Sequence, residues 1–445
     1  MYLKVIINRA RLNGIPIYCI VLVVTYLVVK YYSSTFKGSY IPLHLHKYLN
    51  FSESFKVSSV QLSPRDLNIA ATSVELVNFE REVFNEKRFG NVGAETTIIV
   101  VQVHRDIERL QYLIVSLAQV HYIETTLLIF SHSYFDEAIN KMIKKITFCR
   151  FMQIFYPFSV QLNPNKFPGI DPEDCLSSQT SKQFCSNRDA RRTEYKHHWW
   201  WKAYFVFNKL DWSDKYRGVV IFLDESNYVL PDLLYMLRYS KRSLSVVTGI
   251  SVMVFGRPYF KDLDYDLLII DTWRPPYDNG LAFNKTVWKE IAALSSYFCT
   301  YDDLSWSYSL LNLFSRFRGG HVDMVSTMAP RVLTTSLYST GHEAAEKIHM
   351  QLKGAPYFPL TVKAALVYSS TGRVDSGVNL PSKGTGGWSD LRDHLLCLDP
   401  LSTADQTTDA TADDTTTTPK FVILPQINYS SAVIVVEDTM KRRRL

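Results

Sequence analysis

The chain has 445 residues, 47% apolar and 21% charged, a balance that excludes wholesale disorder. Its net charge of +6 is concentrated at the ends, with Lys4, Arg9 and Arg11 near the start and Lys441, Arg442, Arg443 and Arg444 at the finish. The body between them is nearly neutral and lacks a basic footprint, so no nucleic-acid partner is expected. Six cysteines are too sparse for a small disulfide scaffold, and without a CxxC pair or an HExxH run a structural zinc site is not expected either.

The first feature in chain order is the uncharged run Ile15 to Val29, closed by Lys30 and followed by Tyr31 and Tyr32. It reads as an uncleaved signal anchor over 15–32, with 1–14 as a cytoplasmic tail and everything beyond on the lumenal side of a membrane. Sequons at Asn50, Asn284 and Asn428 are compatible with that side, and an oxidising lumen would let the cysteines beyond the anchor pair. Residues 33–94 read as a polar, irregular stem. From Thr96 the pattern changes. Strands are expected at Thr96–Val103, Thr125–Phe130, Phe151–Tyr156 and Val219–Leu223, and helices at Ile107–Leu117, Phe135–Ile146 and Thr193–Leu210. Such alternation, with strands apolar on both faces, predicts a Rossmann-like α/β domain over 95–400 with a mostly parallel sheet. Ligand contacts then fall beyond the strand ends, just after Val103, Phe130 and Leu223. No GxGxxG follows Val103 and no Walker loop occurs, which disfavours dinucleotide oxidoreductases and P-loop enzymes. Asp262-Leu-Asp264-Tyr-Asp266 has the spacing of a DxD motif, but no buried strand leads into it, so it reads as a charged loop. Residues 401–445 form a low-complexity and basic tail.

Several blocks carry more specific information. In order they are Val100-Val-Gln-Val-His104, Ile129-Phe-Ser-His132, Phe155-Tyr-Pro-Phe-Ser159, Lys196-His-His-Trp-Trp-Trp-Lys202, Phe298-Cys-Thr-Tyr-Asp-Asp303 and Gly386-Gly-Trp-Ser-Asp-Leu-Arg-Asp-His394 with Cys397. Over about residues 95–397 the chain resembles the N-acetylglucosaminyltransferase II family. The resemblance implies a GT-A fold in a single-pass type II Golgi membrane protein, UDP-N-acetylglucosamine as donor and Mn²⁺ as cofactor. It implies as acceptor the 2-hydroxyl of the α-1,6-arm mannose of an N-glycan, glycosylated with inversion in one displacement. That chemistry needs charge to neutralise the leaving diphosphate, a base for the acceptor hydroxyl, and donors that grip the nucleotide.

The resemblance places Gln102, Val103, His104, Lys196, His197 and His198 in the donor site. It places the metal at Asp224, Glu225 and His342, although the family's ligating aspartate is Ser226 here, a weak Mn²⁺ donor. The base position is also a serine, Ser307, which needs an assisting base; Asp302 and Asp303 are candidate replacements. Two nucleotide contacts change as well, to Asp106 and Ser133. Disulfides are implied at Cys175–Cys185 and Cys299–Cys397, leaving Cys149 free. Two readings stay open: a transferase of the family's type, and an inactive lumenal homologue that binds glycans or partner glycosyltransferases.

Overall fold

The computed structural model describes residues 24–26, 41–49, 62–172, 174, 188–246, 250–257, 263–366 and 384–400. Most of the expected anchor, Cys175 and Cys185, Asn50, Asp262, Asn428 and the 401–445 tail lie outside them. No helix among the described residues is long and apolar enough to cross a membrane. Within residues 1–50, Leu43–Tyr48 forms a short 3-10 helix.

Part of the stretch expected to be an irregular stem is instead the helix Pro64–Glu80. Ser63 starts it by accepting from the Asp66 amide, and Pro64 sits where a missing N–H costs nothing. Only Ala70 and Val74 are buried, so the apolar stripe is narrow and easily overlooked in the sequence. The helix is tied to the sheet by Asn78, whose amide donates to the Phe155 carbonyl at 2.6 Å and accepts from its N–H at 2.8 Å.

The core is a nine-stranded sheet. Its strands in chain order are β1 (Ile98–Val103), β2 (Leu127–His132), β3 (Arg150–Phe155), β4 (Val219–Asp224), β6 (Ile250–Val254), β7 (Leu267–Thr272), β8 (Leu281–Asn284), β9 (Asp323–Thr327) and β11 (Lys363–Leu366). A separate two-stranded ribbon pairs β5 (Asn227–Val229) with β10 (Val332–Thr334). The spatial order is β11-β7-β9-β6-β8-β4-β1-β2-β3. Strands β3, β2, β1 and β4 run parallel, and β8 is antiparallel to β4 and β6. Every residue of β1, β2 and β3 is buried, as the continuous apolar runs predict. The register sets Gln102 beside Ser131 on one side and Asp224 on the other, so three strand ends open onto one crevice.

Helix Ala190–Asn208 buries Trp199, Trp200 and Trp201, as expected of a core-packing tryptophan run. Trp199 stacks on Trp306 at 4.4 Å and Trp200 on Phe298 at 4.5 Å. The expected Cys299–Cys397 disulfide is present, and Cys149 is free and buried, its thiol pushed up by that burial. Asn284 accepts from the Val287 amide at 3.1 Å and thereby caps the helix Lys285–Ala293. Asp264 and Asp266 belong to a loop in which Asp266 pairs with Lys363, consistent with a charged loop.

Candidate functional site

A cavity of about 610 Å³ lies where the sheet analysis places ligand contacts. Its walls include His104 and Arg105 after β1, Ser133 after β2, Glu225 after β4, and Glu194 and Arg191 from the long helix. Glu225 organises this outer cavity. Its carboxylate accepts from the backbone amides of His104, Arg105 and Asp106 at 2.7, 3.2 and 3.1 Å, which fixes the loop leaving β1. Burial and the neighbouring Asp224 nevertheless push its pKa up to about 8. Burial likewise pushes Glu194 up to about 8, against the pull of Arg105 and Arg191. Both acids are therefore mostly neutral at pH 7, and the cavity is less acidic than its composition suggests.

His104 lines the outer cavity, and its neighbours Gln102, Tyr195 and Asp224 line a second, inner one. The Nδ1 of His104 lies 2.9 Å from Ser133 Oγ, and its ring stacks on Tyr195 at 5.0 Å. Burial lowers its pKa, opposed by Asp224. The inner cavity, about 250 Å³, is lined among others by Tyr195, Trp199, Lys202, Asp224, Asp278 and Trp306. Tyr195 donates to Asp224 Oδ2 at 3.1 Å, and Ser226 donates to Oδ1 through its amide and its hydroxyl. Lys202 donates to the Gln102 side chain, and burial pushes its pKa down to about 7. Strongly perturbed groups gathered in one crevice are the physical mark of a functional site.

Residues 71–397 match the family model described as N-acetylglucosaminyltransferase II. That match takes in both cavities and most of the chain. The chain belongs to the N-acetylglucosaminyltransferase II family. Relatives named alpha-1,6-mannosyl-glycoprotein 2-beta-N-acetylglucosaminyltransferase share the similarity. The Mus musculus protein is 29% identical over 351 residues, covering 72% of this chain and 78% of its own length. The Arabidopsis thaliana protein is 24% identical, covering 71% of this chain and 77% of its own. Among solved structures, S. aureus TarS aligns with TM-score 0.30 and 9% identity over 59% of this chain and 40% of that one, too loose a likeness to support an inference.

Against the N-acetylglucosaminyltransferase II pattern, the structure separates contact residues from supports. Gln102 and His104 line the cavities, but Val103 is wholly buried, its carbonyl accepting from the Ser133 amide. Lys196, His197 and His198 line neither cavity. Lys196 is buried over the Trp388 ring and donates to the carbonyls of Tyr301 and Asp303. His197 bonds Asp393 at 2.8 Å, and His198 bonds Ser131 at 2.8 Å behind His104. The reason is helical geometry. Tyr195, Trp199 and Lys202 share one helix face at i, i+4 and i+7, while Lys196 and His197 are turned away. Reading the motif as a linear block hid Tyr195 and Lys202; a helical projection would have found them.

The expected replacement bases are also supports. Asp303 accepts from Ser305 and twice from Thr385, and Asp302 accepts from the Trp388 amide. Both carboxylates are committed to holding the 384–388 segment against the loop. Asp106 caps the helix Ile107–Leu117 through the Arg109 amide. The expected metal set does not assemble. Glu225 is consumed by three amides, and His342 bonds Tyr112 at 2.8 Å and the Glu108 carboxylate through its amide. No group of three acids, histidines or cysteines among the described residues is placed to hold a metal ion. With a serine at 226 and Asp224 already accepting from Tyr195 and Ser226, these residues do not fit a resident Mn²⁺.

Proposed function

We propose that the protein transfers N-acetylglucosamine from UDP-N-acetylglucosamine to the 2-hydroxyl of the α-1,6-arm mannose of N-glycans, inverting the anomeric centre on a GT-A scaffold. The observation that carries this reading is the family match over residues 71–397, which spans every wall of both cavities. The outer cavity suits the nucleotide. Arg105 and Arg191 bring positive charge to it, and Glu194 and Glu225 are mostly uncharged at neutral pH. The inner cavity, beside Trp306, suits the transferred sugar and the acceptor hydroxyl. The basic residues Lys4, Arg9 and Arg11 ahead of Ile15–Val29 support a type II Golgi anchor with the body lumenal.

The test is direct. The purified full chain, given UDP-N-acetylglucosamine and a mannose-terminated N-glycan, yields a glycan heavier by one N-acetylhexosamine, β-1,2-linked to the α-1,6 arm by linkage analysis. Absence of product at saturating donor, while UDP and glycan still bind, would instead establish the second reading, an inactive glycan-binding homologue. Ser226 and Ser307, in place of two family acids, are the observations that favour it.

A further inference from the structure

The segment before β8 holds a carboxylate that no family motif drew attention to. Residues 275–280 form a tight turn, pinned from several sides. The Trp273 indole donates to the Tyr277 carbonyl at 2.7 Å, and Gly256 donates to the Asn279 carbonyl at 2.9 Å. The Asn279 side chain accepts from Asn227 at 3.1 Å, which ties the turn to the strand that follows Ser226. Gly280, at φ +66, allows the close passage: a Cβ there would meet Val332 at 2.8 Å. The turn therefore presents Asp278 to the inner cavity from a rigid support, facing Asp224 and Trp306.

Asp278 has one further contact that bears on chemistry. Burial pushes its pKa up, opposed by the side chain of Ser307, the residue at the family's base position, and by the backbone of Asp278 and Asn279. Ser307 is buried, and its hydroxyl also lies 3.0 Å from Ser305 Oγ. Asp224 lies 3.8 Å from His104, whereas Asp278 forms no ion pair among the described residues. Asp302 and Asp303 are spent on the 384–388 segment.

We propose that Asp278 is the general base of the transfer, standing in from the 275–280 turn for the carboxylate absent at Ser307. This rests on the transferase reading above. The acceptor hydroxyl oxygen forms its bond to the anomeric carbon as the bond from that carbon to the UDP oxygen breaks. UDP leaves with the electron pair, and the hydroxyl proton passes to the Asp278 carboxylate. Ser307 is a positioning residue, since its side chain stabilises that carboxylate in the charged form. Burial holds the Asp278 pKa above the ordinary range, which makes it a better proton acceptor than an exposed aspartate.

The experiment measures transfer to the mannose-terminated N-glycan and, separately, UDP affinity, for the native chain, Asp278→Asn, Ser307→Ala and Asp278→Asn/Ser307→Asp. A positioned base contributes about 10²–10⁴-fold. Asp278→Asn is expected to lower kcat by that range with UDP affinity within twofold. Ser307→Ala should lower kcat only several-fold. The double variant, which returns a carboxylate to the family position, should regain at least tenfold over Asp278→Asn. Native-like turnover by Asp278→Asn overturns the assignment while leaving the transferase reading intact. So does a loss of turnover matched by a loss of UDP affinity, which would mean a structural role. No transfer by the native chain overturns both.

Discussion

The two flanks of helix Ala190–Asn208 treat buried charge in opposite ways. On the flank facing the Cys299–Cys397 disulfide, the buried arginines and aspartates are matched in ion pairs, and Lys196 is held by two carbonyls. Arg188 pairs with Asp393 at 2.7 Å and Asp174 at 3.3 Å, and Arg392 pairs with Asp171 and Asp390 at 2.7 Å each. Burial alone would raise the Asp393 pKa, but His197 and Arg188 overcome it and hold the carboxyl below its usual range. On the crevice flank the balance goes the other way. Glu194 and Glu225 are pushed up to about 8 and Lys202 down to about 7, each chiefly by burial. The first flank stores charge in closed pairs and is finished as folded. The second holds polar groups whose best partner is a ligand, and the same burial that would destabilise it sharpens its chemistry.

The sharpest way to break this comparison is Arg188→Met. It leaves Asp393 with His197 alone and Asp174 with Arg392 alone, so the cost falls toward the lower end of the about 3–5 kcal/mol for breaking a buried pair. Denaturant unfolding should show that loss with an unchanged slope; a cost below 1 kcal/mol would mean the network is not closed.

A smaller effect tests burial itself. His132 is fully buried, stacked on Phe155 at 4.5 Å, and burial pushes its pKa down to about 3 despite Gln153 beside it. The unfolded chain takes up the proton near pH 6.5 and the folded chain does not, so stability falls as pH drops through that window. Between pH 6.5 and 4.5 the loss from this one group is about 2–3 kcal/mol. His132→Phe should remove that share of the acid sensitivity in thermal melts at the two pH values.

Lys202→Met should have the opposite sign to Arg188→Met. Removing an amine that burial drives toward neutrality should raise stability by about 1 kcal/mol at pH 6, because native Lys202 must be charged there at a cost. UDP-sugar affinity should fall at the same time. A destabilised Lys202→Met protein would show that the crevice flank is as closed as the other.

The finest test concerns Ser226. Calorimetry should find UDP affinity nearly independent of Mn²⁺ in the native chain. Ser226→Asp, which adds a carboxylate beside Asp224, should introduce a dependence of about fivefold, near 1 kcal/mol. Strong Mn²⁺ dependence in the native chain would mean that the crevice rearranges to build the site.

The parallel half of the sheet was legible because its strands are buried on both faces, and a run such as Ile98–Val103 announces that without context. The ends of β1, β2 and β4 then located the crevice from topology alone. Helix Pro64–Glu80 was not legible, since it buries only Ala70 and Val74 and draws its stability from Asn78 contacts 77 residues away. Within the site, residue type was readable but direction was not. Lys196 and Lys202 stand in one motif, yet one turns to the Tyr301 carbonyl and the other to Gln102. Asp278 carried no local signal at all, because its meaning comes from Ser307, brought to it by the fold.

The closed flank also sets a clock. His197 and Asp393 are separated by 196 residues. At about 5–20 residues per second, roughly 10–40 s of synthesis pass between them. Through that interval the newborn helix carries Lys196, His197 and two tryptophans toward partners that do not yet exist. The crevice strands β1 to β4 are by then complete and free to pair. The strand ends that carry the outer cavity can thus form early, and the flank that ends most fully paired forms last. Cys299 waits for Cys397 through about half that interval, since 98 residues separate them.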